Sequence, residues 1–220
     1  TPTKSSAASD VYKRQVADHG EMLGERGTWF KFLPFEWSVR VPMIASGPNM
    51  VRGKIEKHYT SLVDLLPTFV DLATNEKSYE YSDNLDGKSL FGLMQGKKID
   101  VPNELMLEFT GEGVYAPALI FIRDGIKYVH CRTDPPMMFD LNVDPEEQNN
   151  LALEPSYLSL ANEMKSEIDK RWNYDELENK VIKSQKRRLF VQNTLLKGKW
   201  TGWDHQPFVD AKKAYVRGAI

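Results

Sequence analysis

An α/β core, followed by a hairpin-rich antiparallel section, two helices and an aromatic tail, is the fold class this sequence predicts. Three observations carry it. Leu62, Leu65, Leu66, Phe69, Val70 and Ala73 recur with helical period. Asp124-Gly125 separates two β-rich runs and reads as the turn of a hairpin. Tyr157, Leu160, Met164, Ile168 and Trp172 mark an apolar stripe behind Glu154-Pro155, a helix opening with proline at its first position.

Taken in order, the elements begin after an atypical start. Residues 1–15 are polar and small at first and lack the basic-then-apolar layout of a signal peptide. Asp10-Val11-Tyr12-Lys13-Arg14-Gln15 resembles an in-frame sequencing adapter, so residues 1–15 read as a non-native segment. The chain from Val16 onward then reads as the C-terminal part of a longer protein. Gly20, Gly24 and Gly27 punctuate a loop whose backbone can wrap closely. Val39 to Ala45 is β-rich, ends at Gly47-Pro48, and predicts a buried strand. In the helix over Leu62–Ala73, Pro67 belongs in or near the first turn, because an interior proline costs about 3 kcal/mol.

Glu104–Phe109 and Ala118–Arg123 predict strands, with Ile126–Val129 returning after the turn. Asp175 with Glu178 resembles a capping box for a second helix running to about Val191. Trp200, Trp203, Pro207 and Phe208 come last, without period. The resulting division is residues 16–100 as α/β core, 101–198 as antiparallel-sheet and helix subdomain, and 199–220 as tail.

Composition narrows the classes. The 220 residues carry 29 basic and 31 acidic side chains, a net charge of −2, which argues against nucleic-acid binding through bulk positive charge. The basic stretch Lys180, Lys183, Lys186, Arg187, Arg188, Lys197 and Lys199 lacks interleaved aromatic platforms along its helix and reads as a solvated face. No apolar run of about 18 residues predicts a membrane span. A single cysteine, Cys131, excludes an intrachain disulfide and suits a reducing, cytoplasmic setting.

The chemistry concentrates at Asp18-His19-Gly20. A carboxylate and an imidazole side by side after a strand can ligate a divalent cation, and the glycine leaves room for close approach. Lys31 comes thirteen residues after Asp18, past Gly24, Gly27 and Trp29, where its ammonium could return to an anion at the metal. The same residues could equally form a surface loop with Lys31 solvated and Trp29 packed on the core.

Asp18 to Lys31 as a whole resembles the C-terminal metal-and-lysine motif of the type I sulfatases of the alkaline-phosphatase superfamily. Glu36 to Pro42, Ser61 to Ala73, and Phe139-Asp140-Leu141 with Asp144-Pro145-Glu146 and Asn150-Leu151 are similar to that family's later landmarks. Leu107 to Gly113, Lys127 to Cys131 with Asp134-Pro135-Pro136, and Trp203 to Pro207 with Tyr215-Val216-Arg217 resemble choline-sulfatases.

The resemblance implies the C-terminal part of an alkaline-phosphatase-like sulfatase fold. It implies that Asp18 and His19 ligate a divalent cation of calcium type and that Lys31 holds the sulfate in catalysis. It implies that Glu108 stands near a quaternary ammonium, and that Asp204 and Trp203 belong to a tail exchanged between subunits of a homo-oligomer. The substrate implied is a small sulfate ester, choline O-sulfate first. A trimethylammonium group offers no hydrogen-bond donor, so aromatic faces, each worth about 0.5–2 kcal/mol, and negative charge must hold it.

One departure is large. The family's nucleophile is a formylglycine made from cysteine in a Cys-x-Pro/Ala-x-Arg motif, which Cys131-Arg132-Thr133-Asp134-Pro135 does not fit. The cofactor residue and further metal-binding aspartates are then expected upstream, and these 220 residues alone are expected to be inactive. Another sulfatase or a phosphonate or phosphodiester hydrolase of the same superfamily, and a non-catalytic oligomerisation module, are the alternatives.

Overall fold

The computed structural model describes residues 13–74, 81–98, 102–111 and 114–199. The chain divides into two units, Thr1–Asn173 and Tyr174–Ile220.

In the first unit, β1 (Lys13–Val16) pairs antiparallel with β2 (Met43–Ser46), Val16 lying opposite Met43. Lys13, Arg14 and Gln15 thus stand inside a strand, ahead of the boundary that composition suggested at residue 16. Pairing uses main-chain groups, which side-chain composition does not reveal; it says nothing of the segment's origin. β2 is shorter than the predicted strand and half-exposed rather than buried, alternating intermediate and exposed residues. Its expected first residue, Val39, instead closes a one-turn helix, α1 (Glu36–Val39).

A 3₁₀ turn at Leu62–Asp64 leads into α2 (Leu65–Thr74). Ser61 and Asp64 close a reciprocal capping box there, and Pro67 is the third residue of α2, within its first turn. The Thr68 hydroxyl, fully buried, accepts the Leu90 N–H at 2.8 Å just before α3 (Phe91–Met94).

The larger sheet has the order β3-β4-β5-β6 and is antiparallel throughout: β3 (Glu104–Phe109), β4 (Ala118–Arg123), β5 (Ile126–Cys131) and β6 (Met137–Asp140). The β4–β5 turn uses Asp124 at φ 51° and Gly125 at φ 86°, the left-handed pair that a two-residue hairpin needs. Ala118, Ile120, Ile122, Val129 and Cys131 form one buried face. The opposite face, with Leu119, Phe121 and Tyr128 buried, is covered by α4 (Leu158–Arg171). Ala161, Met164 and Ile168 are buried along that helix. α4 starts after Tyr157, so Pro155 precedes the helix in a turn instead of opening it.

Burial on β5 pushes the His130 imidazole below its ordinary value of 6.5, Lys165 and Arg132 adding to this and Asp169 opposing it. The unfolded imidazole then takes up a proton that the folded one resists, so stability falls as pH drops through 6.5. His130→Gln is expected to flatten the urea midpoint between about pH 8 and pH 5 relative to the parent chain. Parallel slopes in the two proteins would exclude this linkage.

In the second unit, α5 runs over Tyr174–Leu195. Asp175 lies inside its first turn and not at a cap, because the helix begins two residues earlier than a cap at Asp175 would start it. Lys183, Lys186, Arg187 and Arg188 are exposed along it. Among the described residues, no helix is long and apolar enough to cross a membrane.

Candidate active site

β1 ends two residues before Asp18, so the strand delivers Asp18 and His19 at its C-terminal exit. The next residue is glycine for a steric reason. A Cβ on Gly20 would lie 2.0 Å from the Trp37 carbonyl oxygen, and the Gly20 N–H donates to the Ser38 carbonyl at 2.8 Å. The chain then makes a small hairpin, with Met22 N–H to the Phe30 carbonyl at 3.2 Å and Gly24 N–H to the Thr28 carbonyl at 2.8 Å. Its tip turns through Arg26 at φ 53° and Gly27 at φ 73°. Met22, fully buried, anchors the hairpin against Phe35 and Phe139. Trp29 is 67% exposed and lies over Gly24, not in the core.

This hairpin brings Lys31 back to the strand exit. Its Nζ is 2.8 Å from His19 Nε2, and Asp18 Oδ2 is 3.5 Å from the same nitrogen. His19 Nδ1 is 2.7 Å from the Gly20 carbonyl. A carbonyl only accepts, so Nδ1 carries the proton and the Nε2 lone pair faces Lys31 and Asp18. Glu21 Oε1 stands 3.7 Å from Nδ1. Asp18 is almost fully exposed and the His19 side chain about one-third exposed. The arrangement is therefore an open, polar patch in which one ammonium, one imidazole lone pair and one carboxylate point at a shared volume.

Asp18 Oδ2 and His19 Nε2 form an oxygen–nitrogen pair that one divalent cation can bridge, with the ring held through its other nitrogen, as metal-ligating histidines are. Among the described residues, no three His, Cys, Asp or Glu side chains gather into a set able to hold a metal ion. The pair fits a cation as a partial ligand set that needs further donors.

Glu108 lies elsewhere. Period two along β3 puts Glu104, Met106 and Glu108 on the face covered by α4. There Trp172, just past the end of α4, donates its indole N–H to Glu108 Oε1 at 2.5 Å. The two line a cleft of about 740 Å³ together with Tyr59, Asp64, Lys88 and Arg171. Asp18, His19 and Lys31 do not line it. Arg171 bridges Glu104 at 2.7 Å and Glu167 at 2.9 Å, and stacks 4.9 Å over Phe121, which fixes this end of α4 on the sheet. Asp204 and Trp203 lie outside the described residues, as do Glu112 and Gly113.

In the sequence, Trp172 reads only as the last residue of a packing stripe. Its spacing from Ile168 is legible there, but its N–H bond to Glu108, 64 positions earlier, is not. Cys131 is buried, its Sγ 3.7 Å from the Ala116 carbonyl, consistent with a structural thiol.

Residues 24–174 match the family described as N-sulphoglucosamine sulphohydrolase, C-terminal, and residues 179–220 match Choline sulfatase enzyme C terminal. The choline-sulfatase of Rhizobium meliloti (strain 1021) is 37% identical over 224 residues, covering 99% of this chain and 42% of that protein. A sulfatase structure from Bacteroides thetaiotaomicron VPI-5482 superposes with a TM-score of 0.65 at 26% identity, over 72% of this chain and 35% of that one. The phosphonate monoester hydrolase of Silicibacter pomeroyi does so with a TM-score of 0.62 at 25% identity, over 72% and 34%. The chain thus spans less than half the length of these relatives. It carries an alkaline-phosphatase-like sulfatase fold and belongs to the type I sulfatase family.

Proposed function

We propose that this chain supplies the C-terminal part of an enzyme that hydrolyses choline O-sulfate to choline and sulfate. The observation that carries the reading is the convergence of Lys31 Nζ and Asp18 Oδ2 within 3.5 Å of His19 Nε2. An ammonium beside a partial cation site is what a tetrahedral sulfate needs at its non-bridging oxygens.

Asp18 and His19 would hold a divalent cation of calcium type, which when bound polarises the sulfate oxygens. Lys31 donates hydrogen bonds to those oxygens and neutralises charge that grows there as the ester bond breaks. Gly20, by letting Trp37 and Ser38 approach, keeps His19 oriented with its lone pair outward. Glu108, bonded to the Trp172 indole N–H in a cleft that Asp18, His19 and Lys31 do not line, would enter a quaternary-ammonium subsite through its negative charge. Asp204 and Trp203 would complete that subsite from the tail of a neighbouring subunit. The net reaction consumes one water and breaks the ester link, releasing choline, sulfate and a proton. The formylglycine nucleophile would lie in sequence upstream of these residues.

The second reading is a sulfatase or phosphonate monoester hydrolase with another leaving group. The likeness to the Silicibacter pomeroyi enzyme supports it, because Lys31, His19 and Asp18 read only the anion. The test compares choline sulfate, an aryl sulfate and a phosphonate monoester, given to the 220-residue chain and to the longer polypeptide recovered from its upstream reading frame. The expected result is preference for choline sulfate by the longer protein and no turnover by the chain alone. Preference for either other ester, or an upstream frame without Cys-x-Pro/Ala-x-Arg, would reject the choline-sulfatase reading.

A further inference from the structure

We propose that Glu147 is a positioning residue for the His19–Lys31 pair and acts on it through Glu36 and Ser38. The proposal rests on the reading above only for its catalytic consequence; the physical linkage stands on contacts within the first unit.

Glu147 is 1% exposed and sits at φ 55° in the turn after β6. Its Oε2 accepts the backbone N–H of Glu36 at 2.7 Å, and its Oε1 lies 2.7 Å from Lys127 Nζ. Lys127, at an inward-facing position of β5, is fully buried and also reaches Glu36 Oε1 at 3.0 Å. Glu36 is therefore held by its backbone and by its side chain at once. The same turn grips the hairpin from outside. Arg26 donates to the carbonyls of Glu146, at 3.1 Å, and Glu147, while its guanidinium covers Phe35 at 3.9 Å. Trp37 Nε1 donates to Glu146 Oε2 at 3.0 Å.

Glu36 opens α1, a single turn that cannot hold its own shape in water. Its orientation must come from outside, and the Glu147 carboxylate supplies it. Two residues on, buried Ser38 joins the two halves of the site. Its carbonyl accepts the N–H of Gly20, next to His19, and its hydroxyl donates to the carbonyl of Lys31 itself. The restraint thus runs from Glu147 to Glu36, through one helical turn to Ser38, and from Ser38 to both residues that face the anion. Apolar packing would hold the turn in place at lower desolvation cost. A carboxylate accepting a specific N–H adds an angular constraint that packing lacks.

The test uses the 220-residue chain, with the ¹⁵N shifts of the His19 ring read at one fixed alkaline pH for every variant, and with thermal stability alongside. Lys31→Met sets the position of the Nε2 signal without the ammonium. Ser38→Ala and Glu147→Ala are each expected to move that signal more than half of the way to the Lys31→Met position. Glu147→Gln keeps an acceptor for the Glu36 N–H and is expected to restore it close to the parent position, although it loses stability with the charge. If Glu147→Ala does not fold, Ser38→Ala and Glu147→Gln decide. A folded Ser38→Ala whose His19 signal stays at the parent position, while Lys31→Met moves it, overturns the positioning role alone. A Lys31→Met that leaves His19 unmoved overturns the pairing, and the active-site reading with it.

Discussion

On the proposed reading, Lys31→Met in a longer polypeptide that carries the nucleophile should lower kcat/KM for choline sulfate by about 10²–10³-fold, the cost of losing one preorganised donor to developing negative charge. The ammonium lies 2.8 Å from His19 Nε2 and on the exposed side of the hairpin, so methionine removes the charge without emptying a core. Stability should therefore change by no more than about 0.5 kcal/mol, as for other surface substitutions. Lys31→Arg should recover little. Its planar fork places donors further out and cannot occupy the point beside the imidazole that a compact ammonium fills. Steady-state kinetics with matched urea titrations would check both halves. An activity unchanged in Lys31→Met would show that the lysine is a bystander.

Lys127→Met is expected to cost about 3–5 kcal/mol of stability, far more than any surface change in this chain. Removing the ammonium leaves the partly buried carboxylate of Glu36 and the fully buried one of Glu147 close together, with their 3.0 Å and 2.7 Å partner gone. The double variant Lys127→Met/Glu147→Gln should regain part of that loss, because it deletes one of the stranded charges instead of exposing it to the other. Urea midpoints at constant slope would measure the coupling. A loss below about 1 kcal/mol for Lys127→Met would mean that water reaches the cluster and that its charges are screened.

The two results separate what Lys31 does from what holds it in place. They also bear on the linkage from Glu147 to Ser38. A buried ion cluster is a poor source of stability alone, since apolar residues of similar size often do as well. At this position it fixes a one-turn helix whose serine touches both flanks of the site.

Local rules made several features readable before any coordinates. The Asp124-Gly125 hairpin, the limits of β3 and β4 and the apolar stripe of α4 follow from turn chemistry and side-chain period, whereas the return of Lys31 to Asp18 and His19 was open on spacing alone and implied only by the family resemblance. Where the reading missed, the deciding interaction was distant in sequence. Lys13–Val16 is a strand because Met43–Ser46 offers it a ladder. Val39 turns helical because Glu147 holds the N–H of Glu36. Trp172 caps the end of its stripe and also donates its indole N–H to Glu108.

Composition and order of residues determined the class of the protein and singled out Asp18, His19 and Lys31 as a candidate group, since each depends on neighbours within a turn or a motif. Tertiary structure alone decided that Lys127 is buried and that Glu147 is its partner. It also decided that Ser38 joins the strand exit to the lysine loop. A lysine in an alternating strand has the same one-dimensional signature whether it faces water or two carboxylates. Only the folding of Glu36, 91 positions earlier, and of the turn after β6 onto this strand determines which.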